Sequence, residues 1–115
     1  MKEISNVLII GGGGYVGTLL SEKLSKNYNV TVYDIFLFGN FLNNNKNISV
    51  IKGDLRDTEL LKKVCKNKDA VYLLGCISND PMSDLAPELT KEINLNASRD
   101  FIKIVHESGV KRLIY

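Results

Sequence analysis

Ile9-Ile10-Gly11-Gly12-Gly13-Gly14-Tyr15-Val16-Gly17 stands directly behind the apolar run Val7 to Ile10 and directly ahead of a helix-compatible segment, Thr18 to Lys26. A buried strand must give way to a helix within a few residues. Glycine alone permits both the tight turn and a close approach of the backbone to a pyrophosphate. The first turn of the helix then offers free N–H groups and the positive end of its dipole to an anion. Gly12, Gly14 and Gly17 give G-x-G-x-x-G, while Gly11, Gly14 and Gly17 give G-x-x-G-x-x-G, so glycine spacing does not choose between the two fingerprints. The context adds a second feature. Asp34 ends the next apolar run, Val30-Thr31-Val32-Tyr33, 20 residues after Gly14, where a carboxylate that binds a ribose is expected. Together these features point to a dinucleotide; a strand-end carboxylate that caps a turn is the structural alternative for Asp34.

Five apolar runs of strand length recur along the chain: Val7 to Ile10, Val30 to Tyr33, Ile48 to Ile51, Ala70 to Leu74 and Leu113 to Tyr115. They lack strict alternation, as expected of parallel strands covered on both faces. Helix candidates lie between them at Tyr15 to Lys26, Thr58 to Asn67 and Pro87 to Glu107. Asp57 or Thr58 can cap the second, Pro87 and Glu88 suit the first turn of the third, and Gly109 ends it. The third carries an apolar stripe of Leu89, Ile93, Ala97, Phe101, Ile104 and Val105, with Leu95 and Ile102 off it, which suggests a second covered side. Alternating strand and helix predicts an α/β, doubly wound parallel sheet of order 3-2-1-4-5.

At 115 residues, 44% hydrophobic and 24% charged, the chain is expected to form one domain over residues 1–115. A net charge of +2 with scattered Lys and Arg argues against nucleic acid. No apolar stretch approaches the roughly 20 residues needed to cross a bilayer, and Met1 to Ser5 is not the start of a leader, so no membrane and a cytoplasmic location are expected. Cys65 and Cys76 lack metal-ligand spacing and read as reduced structural thiols. His106 falls near a helix end, where a partial positive charge suits the dipole. Gly39 and the asparagine-rich stretch Asn40 to Asn47 read as a polar loop.

In order along the chain, Gly11 to Gly17, Val30 to Asp34, Gly53-Asp54-Leu55-Arg56-Asp57, Asp69 to Leu74, Glu92-Ile93-Asn94 with Ala97-Ser98, and Gly109 to Tyr115 resemble the extended short-chain dehydrogenase/reductase superfamily. The resemblance is to its NAD-dependent epimerase/dehydratases of nucleotide sugars. It implies a Rossmann fold, cut off here after the fifth strand, with residues 1–115 as the NAD-binding N-terminal part of a longer architecture. NAD is the implied cofactor, favoured over NADP because no Arg or Lys follows Asp34 until Lys46. Carried onto this chain, Gly11, Gly14 and Gly17 shape the phosphate turn, and the amides of Tyr15 and Val16 reach the pyrophosphate. Asp34 takes the adenosine ribose, Asp54 faces the adenine amino group, and Leu55 packs on the ring. Leu74, Gly75 and Cys76 line the ribose and nicotinamide side, with Asn94 as a buttress.

The chain departs from the family pattern at Ile10, where relatives place Thr or Ser, and at Leu73-Leu74-Gly75-Cys76 in place of His-x-Ala-Ala. The family's catalytic Ser or Thr and its Tyr-x-x-x-Lys pair have no counterpart, since no tyrosine in residues 1–115 is followed four residues later by lysine. The resemblance therefore implies a cofactor-binding portion of an oxidoreductase, inactive alone, with a nucleotide sugar as partner only in a full-length protein. The alternatives are a stand-alone, non-enzymatic NAD-binding or sensing module and a fragment that binds nothing. Self-association through an exposed sheet edge or the long helix is a further expectation.

Overall fold

The computed structural model describes residues 4–36, 39–40, 42, 45–74 and 92–115. Five parallel strands form one sheet in the order β3-β2-β1-β4-β5. They are β1 (Asn6–Ile10), β2 (Asn29–Asp34), β3 (Ile48–Lys52), β4 (Ala70–Leu73) and β5 (Arg112–Ile114). Between them run α1 (Tyr15–Leu24), α2 (Thr58–Cys65) and α3 (Ser98–Glu107), the last preceded by a π-helical stretch, Glu92–Ala97. The order matches the one predicted from the alternation of elements, and apart from the start of the long helix no boundary differs by more than two residues. Pro87, expected to open the long helix, lies outside the described residues.

The central strands alternate sides without alternating polarity. Leu8, Ile10, Tyr33, Val71 and Leu73 pack with Leu55, Leu61, Val64, Cys65, Phe101, Ile104 and Val105 under α2 and α3. Val7, Ile9, Val30, Val32 and Ala70 face the other way and pack with Leu20 and Leu24 of α1. Apolar side chains are required on both sides because helices cover both, and each such side chain, fully buried, contributes about 1.5–3 kcal/mol. The edge strands read differently: Val50 of β3 is 45% exposed and Ile114 of β5 is 40% exposed.

Local chemistry sets the helix ends. Asp57 Oδ1 accepts from the Leu60 amide at 3.1 Å, so Asp57, not Thr58, caps α2. Gly109 at φ +76° ends the turn after α3, a conformation that costs a glycine little. Asn67 takes φ +62° after α2, and asparagine tolerates this left-handed region better than most residues. His106 lies in the last turn of α3, at the helix end where the sequence places it, and is exposed.

Asp69 joins three strands at the opposite end of the sheet from the glycine turn. Its buried carboxylate accepts from the Ser5 and Asn6 amides, each at 2.9 Å, and its carbonyl accepts from the amides of Lys111 and Arg112. The start of β1, β4 and β5 is thereby set by one residue.

Candidate functional site

Gly11 to Gly17, Asp34, Asp54 and Leu55 lie at or just past the ends of β1, β2 and β3. Gly11 adopts φ +85° and its amide donates to the Tyr33 carbonyl at 2.8 Å, which turns the chain out of β1 beside the end of β2. The Gly14 amide donates back to Gly11 O at 3.2 Å, and Thr18 N donates to Gly14 O at 2.8 Å to begin α1. Ile10 sends its side chain into the core, so no hydroxyl anchors the turn from that position. The backbone bond to Tyr33 and an Asp34 contact hold it instead.

Three of the glycines are required by packing. A Cβ on Gly17 would land on Gly12 Cα and within 2.5 Å of the Gly11 carbonyl oxygen, so α1 lies against the turn only because residue 17 has no side chain. A Cβ on Gly12 would meet Val32 Cγ1 at 2.6 Å, and one on Gly13 would meet the Phe36 ring at 2.5 Å. Gly14 differs: its φ of −77° suits any residue, and a Cβ there would meet only Gly11 O, at 3.6 Å. Nothing described within the chain demands glycine at 14, which is what is expected where the occupant of the space is a ligand.

Gly14 is the N-cap of α1, with no side-chain cap and no acidic residue in the first turn. The contrast is with α2, which has Asp57 as cap and Glu59 in its first turn. The amides of Tyr15 and Val16 open α1 on the glycine turn, and their side chains are 84% and 62% exposed. An uncapped helix start suits an anion such as a pyrophosphate, because the first-turn amides have no partner within the helix. The residues present therefore fit a dinucleotide.

Asp34 ends β2 beside this turn. Its Oδ2 accepts from the Gly13 amide at 3.0 Å and its Oδ1 from the Phe36 amide at 2.7 Å. These are turn-capping contacts, the structural alternative weighed for this residue, yet each carboxylate oxygen keeps a second lone pair for a hydroxyl donor. Phe36, at φ +54°, is in an uncommon conformation for an aromatic residue, and it lays its ring on Gly13. Sequence reasoning passed over Phe36, since nothing in its neighbours signals a left-handed backbone.

The third strand delivers the segment expected near adenine. The Gly53 amide donates to Asp34 O at 2.9 Å, and the Tyr33 hydroxyl donates to Asp54 O at 2.6 Å. The Asp54 carboxylate is clasped by Arg56: Nε to Oδ1 at 2.9 Å, Nη2 to Oδ2 at 2.6 Å, and the Arg56 amide to Oδ1 at 2.8 Å. The guanidinium bonds hold the Asp54 carboxyl below its ordinary range. Burial, with Asp57 and Asp54 nearby, pushes the Tyr33 phenol up to about 12, so it remains a donor through neutral pH. Leu55 is only 8% exposed and belongs to the core, beside a small cavity of about 120 Å³ lined also by Arg56, Thr58, Asn96, Ala97 and Asp100. Neither Tyr33 nor Arg56 was singled out from sequence; the Asp-x-Arg spacing was the available signal for the clasp.

Leu74 follows β4 with its amide on Ile10 O at 2.8 Å, which brings it next to the glycine turn. Gly75 and Cys76 lie outside the described residues, and of Asn94 only the backbone, within the π-helical stretch, is described. Cys65 is fully buried, unpaired and pushed up by burial to about 11, as a structural thiol should be. Among the described residues no group of His, Cys, Asp and Glu could hold a metal, and no helix is long and apolar enough to cross a membrane.

Comparison with known proteins agrees with this geometry. Over its full length the chain is 27% identical to sterol-4-alpha-carboxylate 3-dehydrogenase, decarboxylating, of Saccharomyces cerevisiae, covering 35% of that protein. Among solved structures, UDP-N-acetylglucosamine 4-epimerase from Methanobrevibacter ruminantium M1 superposes with a TM-score of 0.88 at 30% identity, over 99% of this chain and 38% of that one. UDP-glucose 4-epimerase of Thermus thermophilus, in complex with NAD, gives 0.84 at 26%, over 96% of this chain and 36% of that one. The chain thus spans about a third of the length of these relatives. The model of the NAD dependent epimerase/dehydratase family matches residues 7–115, and with the glycine turn, Asp34 and the sheet order in agreement, the chain belongs to that family.

Proposed function

We propose that the chain binds NAD as the cofactor portion of a nucleotide-sugar epimerase/dehydratase-type oxidoreductase and has no turnover by itself. The observation that carries the binding half is the uncapped start of α1 behind the glycine turn, with Gly14 open and the Asp34 carboxylate hydrogen-bonded to the same turn at Gly13. In this reading the turn and the Tyr15 and Val16 amides hold the pyrophosphate. Asp34 accepts from the ribose hydroxyls, and Asp54 with Leu55 bounds the adenine. Leu74, Gly75, Cys76 and Asn94 serve the nicotinamide end. A 2′-phosphate would meet the Asp34 charge, so NAD is preferred to NADP.

Bound NAD supplies a hydride acceptor. The chain's residues contribute binding and orientation. The reading of low activity rests on composition: residues 1–115 contain no Tyr-x-x-x-Lys pair to move the proton that accompanies hydride transfer. Nucleotide sugar as substrate is supported by the two epimerase structures, whereas the sterol dehydrogenase similarity marks the competing substrate class.

Calorimetric titration of the 115-residue chain with NAD and NADP, each repeated on Asp34→Ala, tests the binding. Saturable NAD binding, weaker NADP, and about a tenfold or greater loss in the variant are expected, as for removal of a charge-assisted pair of hydrogen bonds. A folded chain that takes up neither dinucleotide would refute the reading. The stand-alone sensing module needs the same binding; hydride transfer on addition of a Tyr-x-x-x-Lys-bearing portion of a relative separates the two.

A further inference from the structure

Tyr33 is the residue at which the phosphate turn and the adenine-side segment meet. Its carbonyl accepts from the Gly11 amide at 2.8 Å, and its hydroxyl, at the other end of the side chain, donates to the Asp54 carbonyl at 2.6 Å. The ring lies so close to Gly53 that a Cβ there would come within 2.5 Å of Cζ and of the hydroxyl oxygen. The next residue, Asp34, adds two more bonds across the same gap, from Gly53 N to its carbonyl and from Gly13 N to its carboxylate. Two hydrogen bonds and one ring contact from Tyr33 and Asp34 therefore tie Gly53 and Asp54 to the end of β2, while the Asp57 amide, at 3.0 Å from the Asp54 carbonyl, and Arg56 hold Asp54 only within its own segment.

Filling the core does not require this hydroxyl. Tyr33 is 1% exposed among Leu8, Ile10 and Leu55, where phenylalanine would supply the same ring. A buried hydroxyl costs free energy unless it is bonded, and here its partner is a main-chain carbonyl of the segment that borders the proposed cleft. We propose that Tyr33 is a positioning residue for adenine recognition: its hydroxyl fixes where Asp54 and Leu55 stand relative to the glycine turn. The proposal rests on the dinucleotide reading above. Tyr33 touches no part of the ligand in it; Asp54 and Leu55 do.

The test titrates the wild-type chain, Tyr33→Phe and Gly53→Ala with NAD and with nicotinamide hypoxanthine dinucleotide, in which a carbonyl oxygen replaces the adenine amino group. Melting temperatures are measured alongside. The wild type should prefer NAD. Tyr33→Phe should bind NAD about three- to tenfold more weakly, the size of one lost hydrogen bond, and bind the hypoxanthine dinucleotide as the wild type does, so that the preference collapses. Gly53→Ala pushes the same segment away from the ring and should erase the preference as well; it decides the matter if Tyr33→Phe does not fold. A Tyr33→Phe chain that keeps the preference, or that loses both ligands equally, overturns the positioning role and leaves NAD binding intact. Equal binding of the two dinucleotides by the wild type also overturns it. A wild type that binds neither refutes the dinucleotide reading, and the positioning role falls with it.

Discussion

At the scale of single residues, the glycine turn separates packing demands from ligand demands. Gly17→Ala places a methyl group against the backbone of Gly11 and Gly12, which cannot swing aside as a side chain can. Overpacking of this kind costs about 1–3 kcal/mol, and α1 must also shift its amides away from the turn. Thermal unfolding of Gly17→Ala should show that loss together with weakened NAD binding. Gly14→Ala, which meets no close atom, should melt like the wild type and bind NAD less well. Equal stability of both variants would remove the distinction. Tyr33 offers a second residue-level prediction, with its sign fixed by burial. Its phenol is raised from 10.0 to about 12 in the folded chain, so the protonated form is favoured by folding. That contribution is complete below pH 10 and is lost as pH rises from 10 toward 12. Phenolate absorbance should show one late-titrating tyrosine that is missing from Tyr33→Phe, and the variant should lose stability less steeply over the same interval.

At the scale of elements, the prediction concerns Asp69, whose buried carboxylate accepts two amides at the start of β1 while its carbonyl takes the amides that lead into β5. Asp69→Ala removes Oδ2, the single oxygen that accepts both amides. Denaturant unfolding should report a loss of about 2–3 kcal/mol, the scale for hydrogen bonds to a buried charge. A loss below about 0.5 kcal/mol, ordinary for an exposed surface position, would mean that Asp69 does not set the strand starts. Asp69 also illustrates what was legible in the sequence. The strands, their order and the glycine turn could be read because they rest on local facts: apolar runs, alternation with helices, and the residue types that a turn admits. Asp34 and Asp57 were legible because each acts within a few residues of its own position or at a fixed distance from a motif. The Tyr33 hydroxyl, the Asp69 carboxylate and the left-handed Phe36 were not, because their partners lie on neighbouring strands and are set by sheet register. The Asp54–Arg56 clasp was local and could have been found from its spacing. The start of the long helix was placed at Pro87 by a capping argument, outside the described residues, while the described part opens with a π-helical stretch that no periodicity in the sequence announces.

At the scale of the whole molecule, the parallel sheet puts the glycine turn, Asp34, Asp54, Leu55 and Leu74 at the carboxyl ends of its strands and leaves the opposite end to structural residues such as Asp69. The same topology leaves β3 and β5 as edges. Each edge exposes one apolar side chain, Val50 of β3 at 45% and Ile114 of β5 at 40%, and β5 is followed by Tyr115 at 78% exposure. A short strand with open N–H and C=O groups and an apolar rim is a template for another strand. A second apolar surface lies on the helical layer, where Leu95 and Ile102 are 47% and 39% exposed. The purified chain is therefore expected to self-associate in a concentration-dependent way, read by sedimentation velocity. If the β5 edge is responsible, Ile114→Lys should return the chain to a monomer, and if the β3 edge is, Val50→Lys should, since a charged edge residue opposes strand pairing at little cost to a side chain already facing water. If the helix face is responsible, Ile102→Glu should do so and Ile114→Lys should not. The two surfaces can be told apart because β5 lies at the rim of the sheet while Ile102 projects from the layer above it. A wild-type chain that sediments as a monomer at all concentrations would show that neither surface is adhesive, and would leave the exposed apolar residues as isolated ones of the ordinary kind.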